Sequence, residues 1–176
     1  MYAAHLAAGL AIKAAQPKAP SWAVLGAVFL PDLFWLGFSL VGIEPVGAGV
    51  FFDGWSHSVL SIVVQALAVV LLSLRLGRAV ALSLGAAVLS HLPLDMPIHP
   101  RPLELYPHAS HAVGVFFKSW GVQLSWLSKS HYWWVEADVT LLLLSLYAFL
   151  AVRAVFKTNV VIASCILVAW LQVMFG

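Results

Sequence analysis

Charge is scarce in this chain. Of 176 residues only 9% are Asp, Glu, Lys or Arg, against roughly 25% in an ordinary soluble domain. With 62% hydrophobic residues and a mean hydropathy of +0.98, the composition excludes a water-soluble globule. Nine basic and seven acidic side chains leave a net charge of +2, too small and too scattered for a nucleic-acid-binding face. No nucleic-acid partner is expected. Cysteine is almost absent as well: Cys165 stands alone in an apolar run, which excludes a disulfide framework and a thiolate-ligated zinc site. Any metal must therefore be held by His and carboxylate. No basic segment precedes the first apolar stretch and His5 interrupts it, so a cleavable signal peptide is not expected. The length suits a single domain over 1–176, with no internal repeat or low-complexity segment.

What the chain does have is a succession of apolar runs, at Tyr2–Ala15, Ser21–Ile43, Ser58–Leu74, Ala79–Leu94, Trp133–Val152 and Val160–Phe175. They predict an all-α fold, a polytopic integral membrane bundle of about six helices. A spanning helix needs about 20 apolar residues, which the second, third and fifth runs supply. The first is short, and a bilayer tolerates such a segment only where its ends are buried in protein or line a wet cavity. Between the fourth and fifth runs, 95–132 forms a long outer connection. Pro97, Pro100, Pro102 and Pro107 bar a continuous helix there, since each removes a backbone donor. Its second half reads as interfacial, and Trp120, Trp126, Trp133 and Trp134 suit the aromatic belt of a membrane boundary.

The sparse charge is also ordered. Lys13, Lys18, Arg75, Arg78, Arg153 and Lys157 occupy the three short loops on one side of an alternating bundle, with no acid among them. The positive-inside rule makes that side cytoplasmic and puts both termini outside. His5, His57, His91, His99, His108, His111 and His131 then all fall toward the outer face. Glu44, Asp53, Asp95, Glu104, Glu136 and Asp138 do the same.

Asp32 stands inside the apolar segment VFLPDLFWLGF, where an unpaired carboxylate costs several kcal/mol. It requires a partner: a proton, if it caps a break made by Pro31, or a cation. His91 and Asp95 are spaced i,i+4, which in a helix brings both to one face and allows one divalent ion to be shared. Asp53 and His57 repeat that spacing, although Ser56 or Ser58 can equally cap a helix there. His5 adds a ligand-competent group from the first run, and a fifth segment is thereby represented. Nitrogen and carboxylate oxygen without thiolate suit zinc first, with manganese and iron also compatible. His99, His108 and His111 either extend this set or form an exposed loop. Glu136 and Asp138, as i,i+2 neighbours, point to different faces of their helix.

The order His5-x-x-x-Gly9, Pro31-Asp32, Ser56-His57-Ser58 and Ser90-His91-x-x-x-Asp95 resembles the bacterial membrane-bound metal-dependent hydrolases over about the first hundred residues. The resemblance implies that His5, Asp32, His57, His91 and Asp95 are metal ligands. Two positions depart from that family. Phe34 replaces the second acid of its Pro-Asp-x-Asp motif, which argues for one metal rather than two. Asp53-Gly54-Trp55 stands where the family reads His-Arg-Gly.

The expected function is hydrolysis of a lipid-linked ester or phosphoester near the outer headgroups, with membrane lipid as the partner. Asp53 or Glu136 is the expected proton acceptor, because a carboxylate outside the ligand set can act as general base. Two rivals are a membrane protein whose metal only staples helices together and a metal ion transporter. Transport is disfavoured by the nearly unbroken apolar character of the cytoplasmic half.

Overall fold

Helices form where the apolar runs predict them, but two of the runs are broken. In the computed structural model, residues 2–47, 50–96, 103–109 and 129–175 are described, and they are all-α apart from one minimal hairpin. The order is α1 (Tyr2–Ala15), α2 (Ser21–Val28), α3 (Leu30–Leu40), β1 (Val46–Gly47), β2 (Val50–Phe51), α4 (Gly54–His57) and α5 (Val59–Ser73). A 3-10 turn at Leu74–Leu76 follows, then α6 (Arg78–Leu89), α7 (His91–Asp95), α8 (Lys129–Arg153) and α9 (Thr158–Phe175).

Proline explains both breaks. The run expected as one helix from Ser21 to Ile43 bends by 59° between α2 and α3, with Pro31 at the start of α3. Its ring occupies the space needed by the carbonyl four residues back, that of Ala27, and it has no N–H to donate there. The run expected at Ala79–Leu94 stops in the same way: Leu89, the last residue of α6, lies four before Pro93, and α7 starts afresh at His91. Each break sets ligand-competent residues beside freshly ended helix termini, Asp32 after Pro31 and His91 and Asp95 on either side of Pro93.

Two helices are long and apolar enough to cross a membrane, Val59–Leu76 and Trp134–Arg153, and the bent pair α2 and α3 would make a third. These are the three runs whose length predicts a span. The outer surface is correspondingly apolar: Leu72, Leu142, Val152 and Trp170 are all exposed, as suits contact with lipid rather than water.

Between apolar helices in lipid the hydrophobic effect offers little, and close approach of small residues takes over. α1 shows how. Ala3, Ala4, Ala7, Ala8, Ala11 and Ala14 are all buried, packing against α2, α6, α8 and α9. Gly9 allows this close approach, since a Cβ there would lie 3.1 Å from Val28 Cγ2 and that methyl would have to give by a few tenths of an ångström. The short first helix is thus packed against protein along the face between Ala3 and Ala14, with Tyr2 and Ala15 at its ends exposed. The start of α5 is closed by the returning chain: Val59 and Leu60 donate their N–H groups to the carbonyls of Glu104 and Leu105 at 3.0 and 2.9 Å. Ser58 completes the cap by accepting from the Ser61 N–H, so donors that a helix N-terminus leaves unpaired are satisfied.

Candidate metal centre

Five side chains meet where the two broken helices face α1 and α4. The sequence singled out each of them: His5 from α1, Asp32 from α3, His57 from α4, and His91 and Asp95 from α7. His91 is the hub, with no exposed surface. Its Nε2 is 3.1 Å from Asp95 Oδ2 and 3.9 Å from Asp32 Oδ1. His57 Nε2 is 3.5 Å from Asp32 Oδ1, and His5 Nε2 is 3.5 Å from Asp95 Oδ1. The imidazoles of His5 and His91 lie 4.1 Å apart between centroids, and those of His57 and His91 5.1 Å.

The protonation pattern at His91 follows from its neighbours. Nδ1 is 3.2 Å from the carbonyl oxygen of Val28, an atom that can only accept, so Nδ1 carries a hydrogen and donates it. Val28 ends α2, where the Pro31 break leaves carbonyls without their continuing helix; one proline therefore both sets Asp32 and supplies the acceptor that fixes His91. In the neutral ring Nε2 is then a lone pair, 3.1 Å from Asp95 Oδ2. A lone pair facing two carboxylates is unfavourable unless a proton or a metal cation lies between them.

A divalent ion fits this donor set. His5, His91 and Asp95 form one group of three ligand atoms, and Asp32, His57 and His91 another, all within 4.8 Å of one another in each group. A tetrahedral site with bonds of about 2.0 to 2.1 Å places its ligand atoms about 3.3 Å apart, and the closest separations in this cluster run from 3.1 to 3.5 Å. Both groups share the one lone pair of His91, because its other nitrogen is committed to Val28. That sharing favours a single ion over two. Asp32 is the open edge of the cluster, with 29% of its side chain exposed against 10% for Asp95.

His57 is oriented by residues to which the sequence assigned no such role. Ser56 Oγ is 2.7 Å from His57 Nδ1, and it donates to Glu44 Oε2 at 2.7 Å while the Ser56 N–H donates to Glu44 Oε1 at 2.9 Å. Glu44 is fully buried. In the sequence it follows α3 as one more acid at the outer boundary, and only the turn at Gly42 hints that the chain folds back there.

The remaining candidates lie elsewhere. Asp53 is not in either ligand group: it is the residue before α4, with φ −140°, so the i,i+4 geometry that pairs His91 with Asp95 does not extend to it. Its carbonyl instead accepts from the N–H groups of Ser56 and His57. Glu136 is buried on α8 while Asp138 is exposed, the separation of faces their spacing predicts, and Glu136 lies within electrostatic reach of Asp95. His108 is outside the cluster, stacked on Phe52 at 4.5 Å with Trp55 edge-on to it at 6.0 Å. His99, His111, Trp120 and Trp126, and the side chains of His131 and Trp133, lie outside the described residues. Trp134 is exposed on α8. The chain matches no protein-family model, and comparison with curated proteins and with solved structures found no match.

Proposed function

We propose that this chain is a membrane-embedded metal-dependent hydrolase of the kind its motifs resemble, with His5, Asp32, His57, His91 and Asp95 holding one divalent ion, zinc first. The observation that carries the reading is the convergence of these groups on His91 Nε2, whose partner nitrogen is committed to Val28. A divalent ion supplies Lewis acidity toward a substrate oxygen and makes water a stronger acid. The protein's part is to hold that charge. Two carboxylates balance it, the imidazoles present neutral lone pairs, and the exposed edge of Asp32 gives the approach. Glu136 and Asp53 are the carboxylates outside the ligand set that would accept a proton from water, Glu136 from its buried place near Asp95 and Asp53 from the start of α4.

The substrate class is a lipid-linked ester or phosphoester. Its support is an apolar groove of about 240 Å³ between α3 and α5, lined by Phe34, Phe38, Trp55, Leu60 and Val64. Phe34 follows Asp32 by two residues and Trp55 precedes His57 by two, so α3 and α4 contribute walls to the groove and ligands to the cluster, on different faces. The site faces the outside of a bacterial inner membrane in this reading, because Lys18, Arg75 and Arg153 mark the other face. Labelling of single cysteines at these positions should come from the cytoplasm, and labelling at Tyr106 from outside.

The deciding experiment is turnover per bound metal on a panel of lipid esters and phosphoesters. Glu136→Gln and Asp53→Asn should retain metal, and at least one should lose on the order of 100- to 10,000-fold in rate. A wild type that binds metal and cleaves none of the panel would instead favour the helix-stapling role, since the five ligands join α1, α3, α4 and α7 into one unit.

A further inference from the structure

Glu44 is an anomaly that the metal centre does not absorb. It is a carboxylate with no exposed surface, and among the described residues no salt bridge involves it. A buried carboxylate is costly unless its oxygens are met by hydrogen bonds, and both of them are met by one residue, Ser56. That arrangement is built by the backbone. At the end of α3, Gly42 adopts φ +75°, the left-handed conformation open to glycine. Ile43 N–H then donates to Phe38 O at 2.9 Å and Gly42 N–H to Ser39 O at 3.2 Å, the paired bonds of a Schellman turn. This turn reverses the chain so that Glu44 points inward, and the β1–β2 hairpin then returns it through Asp53 to α4, setting Ser56 against Glu44.

The hydrogen-bond directions follow from which groups can donate. The Ser56 hydroxyl has one hydrogen. Besides the imidazole it reaches Glu44 Oε2 at 2.7 Å and the Asp53 carbonyl at 3.1 Å; both are acceptors, and the bond to the carboxylate is the shorter and charge-assisted one. With its hydrogen directed to Glu44, Ser56 Oγ can only accept from His57 Nδ1. Nδ1 therefore carries a ring hydrogen, and in the neutral ring Nε2, 3.5 Å from Asp32 Oδ1, is left as a lone pair facing the cluster. His91 reaches the same state by another route, with Val28 O as its acceptor.

We propose that Glu44 is a positioning residue that acts through Ser56 to hold His57 in the Nδ1–H tautomer, and so makes His57 a competent metal ligand. The ligand role of His57 rests on the metal reading above; the tautomer does not. Outer partners of ligating histidines commonly fix ring orientation and tautomer in this way. In Glu44→Gln, the carboxamide nitrogen turns a donor toward Ser56 Oγ. The hydroxyl hydrogen then turns to the shorter of its two remaining contacts, the imidazole at 2.7 Å rather than the Asp53 carbonyl at 3.1 Å, which shifts His57 toward the Nε2–H form.

The test uses the full chain in nanodiscs, stripped of metal and carrying ¹⁵N-histidine. The imidazole nitrogen resonances of His57, assigned by comparison with His57→Ala, should report Nδ1–H in the wild type and a shift toward Nε2–H in Glu44→Gln. Titration with Co²⁺ should then show roughly 10- to 100-fold weaker binding in Glu44→Gln and in Ser56→Ala. The double variant should be no weaker than either single one, because the carboxamide oxygen keeps the bond from the Ser56 N–H and only the link through the hydroxyl is lost. Ser56→Thr, which retains that hydroxyl, should bind like the wild type. An unchanged His57 tautomer in Glu44→Gln, or additive losses in the double variant, would overturn the proposal. A wild type that binds no Co²⁺ would remove the metal reading, and the tautomer measurement would still decide the relay.

Discussion

Replacing His91 by Asn and by Ala separates its two roles. His91 donates from Nδ1 to Val28 O at 3.2 Å and offers Nε2 to Asp32 and Asp95. An asparagine side chain can bring its amide nitrogen close to the position of Nδ1 and keep the bond to Val28, but it has nothing in place of Nε2. Alanine loses both. Stripped of metal by chelator, the two variants should therefore differ by the cost of leaving the buried Val28 carbonyl without a donor, about 1 to 3 kcal/mol. For a chain of this size that corresponds to roughly 2 to 12 °C in Tm, at about 2 to 4 °C per kcal/mol. Thermal unfolding in one detergent, followed by circular dichroism, measures it. Metal occupancy should be lost in both variants, since neither retains the shared lone pair. An Asn variant as unstable as the Ala variant would refute the bond to Val28 as the anchor, and an Asn variant with full metal would refute Nε2 as the hub.

Other consequences follow from the breaks and the packing. Pro31→Ala supplies the N–H that proline lacks four residues after Ala27 and removes the clash behind the 59° bend; α2 and α3 should straighten, and metal occupancy should fall while helix content by circular dichroism is kept or rises. Gly85→Ala would drive a Cβ into Val70 Cγ2 and to within 3.4 Å of Ala66 O at the α5–α6 contact, lowering thermal stability by about 1 to 3 kcal/mol. Gly26→Ala, with nothing within 4 Å of its Cβ position, should instead be neutral or gain up to about 1 kcal/mol from helix propensity. Acidification should release metal, because each proton competes for a ligand lone pair; release should be followed with a chromophoric chelator.

The five clustered side chains were legible in the sequence because each stands out against an apolar background, where a charged or imidazole group needs a reason. Pairing was legible only where a helix carries the spacing. His91 and Asp95 meet because α7 is helical from one to the other, whereas Asp53, which has the same spacing from His57, precedes the first helical residue of α4 and belongs to neither ligand group. Pro31 announced the bend in the second run. Pro93 carried the same signal, yet the apolar pattern runs through it unbroken, and hydropathy alone does not register a lost donor. Glu44 and Ser56 were beyond sequence reasoning of this kind: their contact depends on a turn at Gly42 and a hairpin between them, both non-local in effect. The apolar exterior and the long helices α5 and α8 follow directly from composition.

The most direct test of the central claim is X-ray absorption spectroscopy at the metal edge, combined with elemental analysis, on the full chain purified without chelator. One divalent ion per chain is predicted, in a nitrogen and oxygen shell with the outer-shell scattering of two or three imidazoles and no sulfur. Ala at Asp32, His57, His91 or Asp95 should each lower the occupancy. Less than a tenth of an equivalent after loading with zinc, manganese or iron, or an ion retained in full by all four variants, would contradict the account.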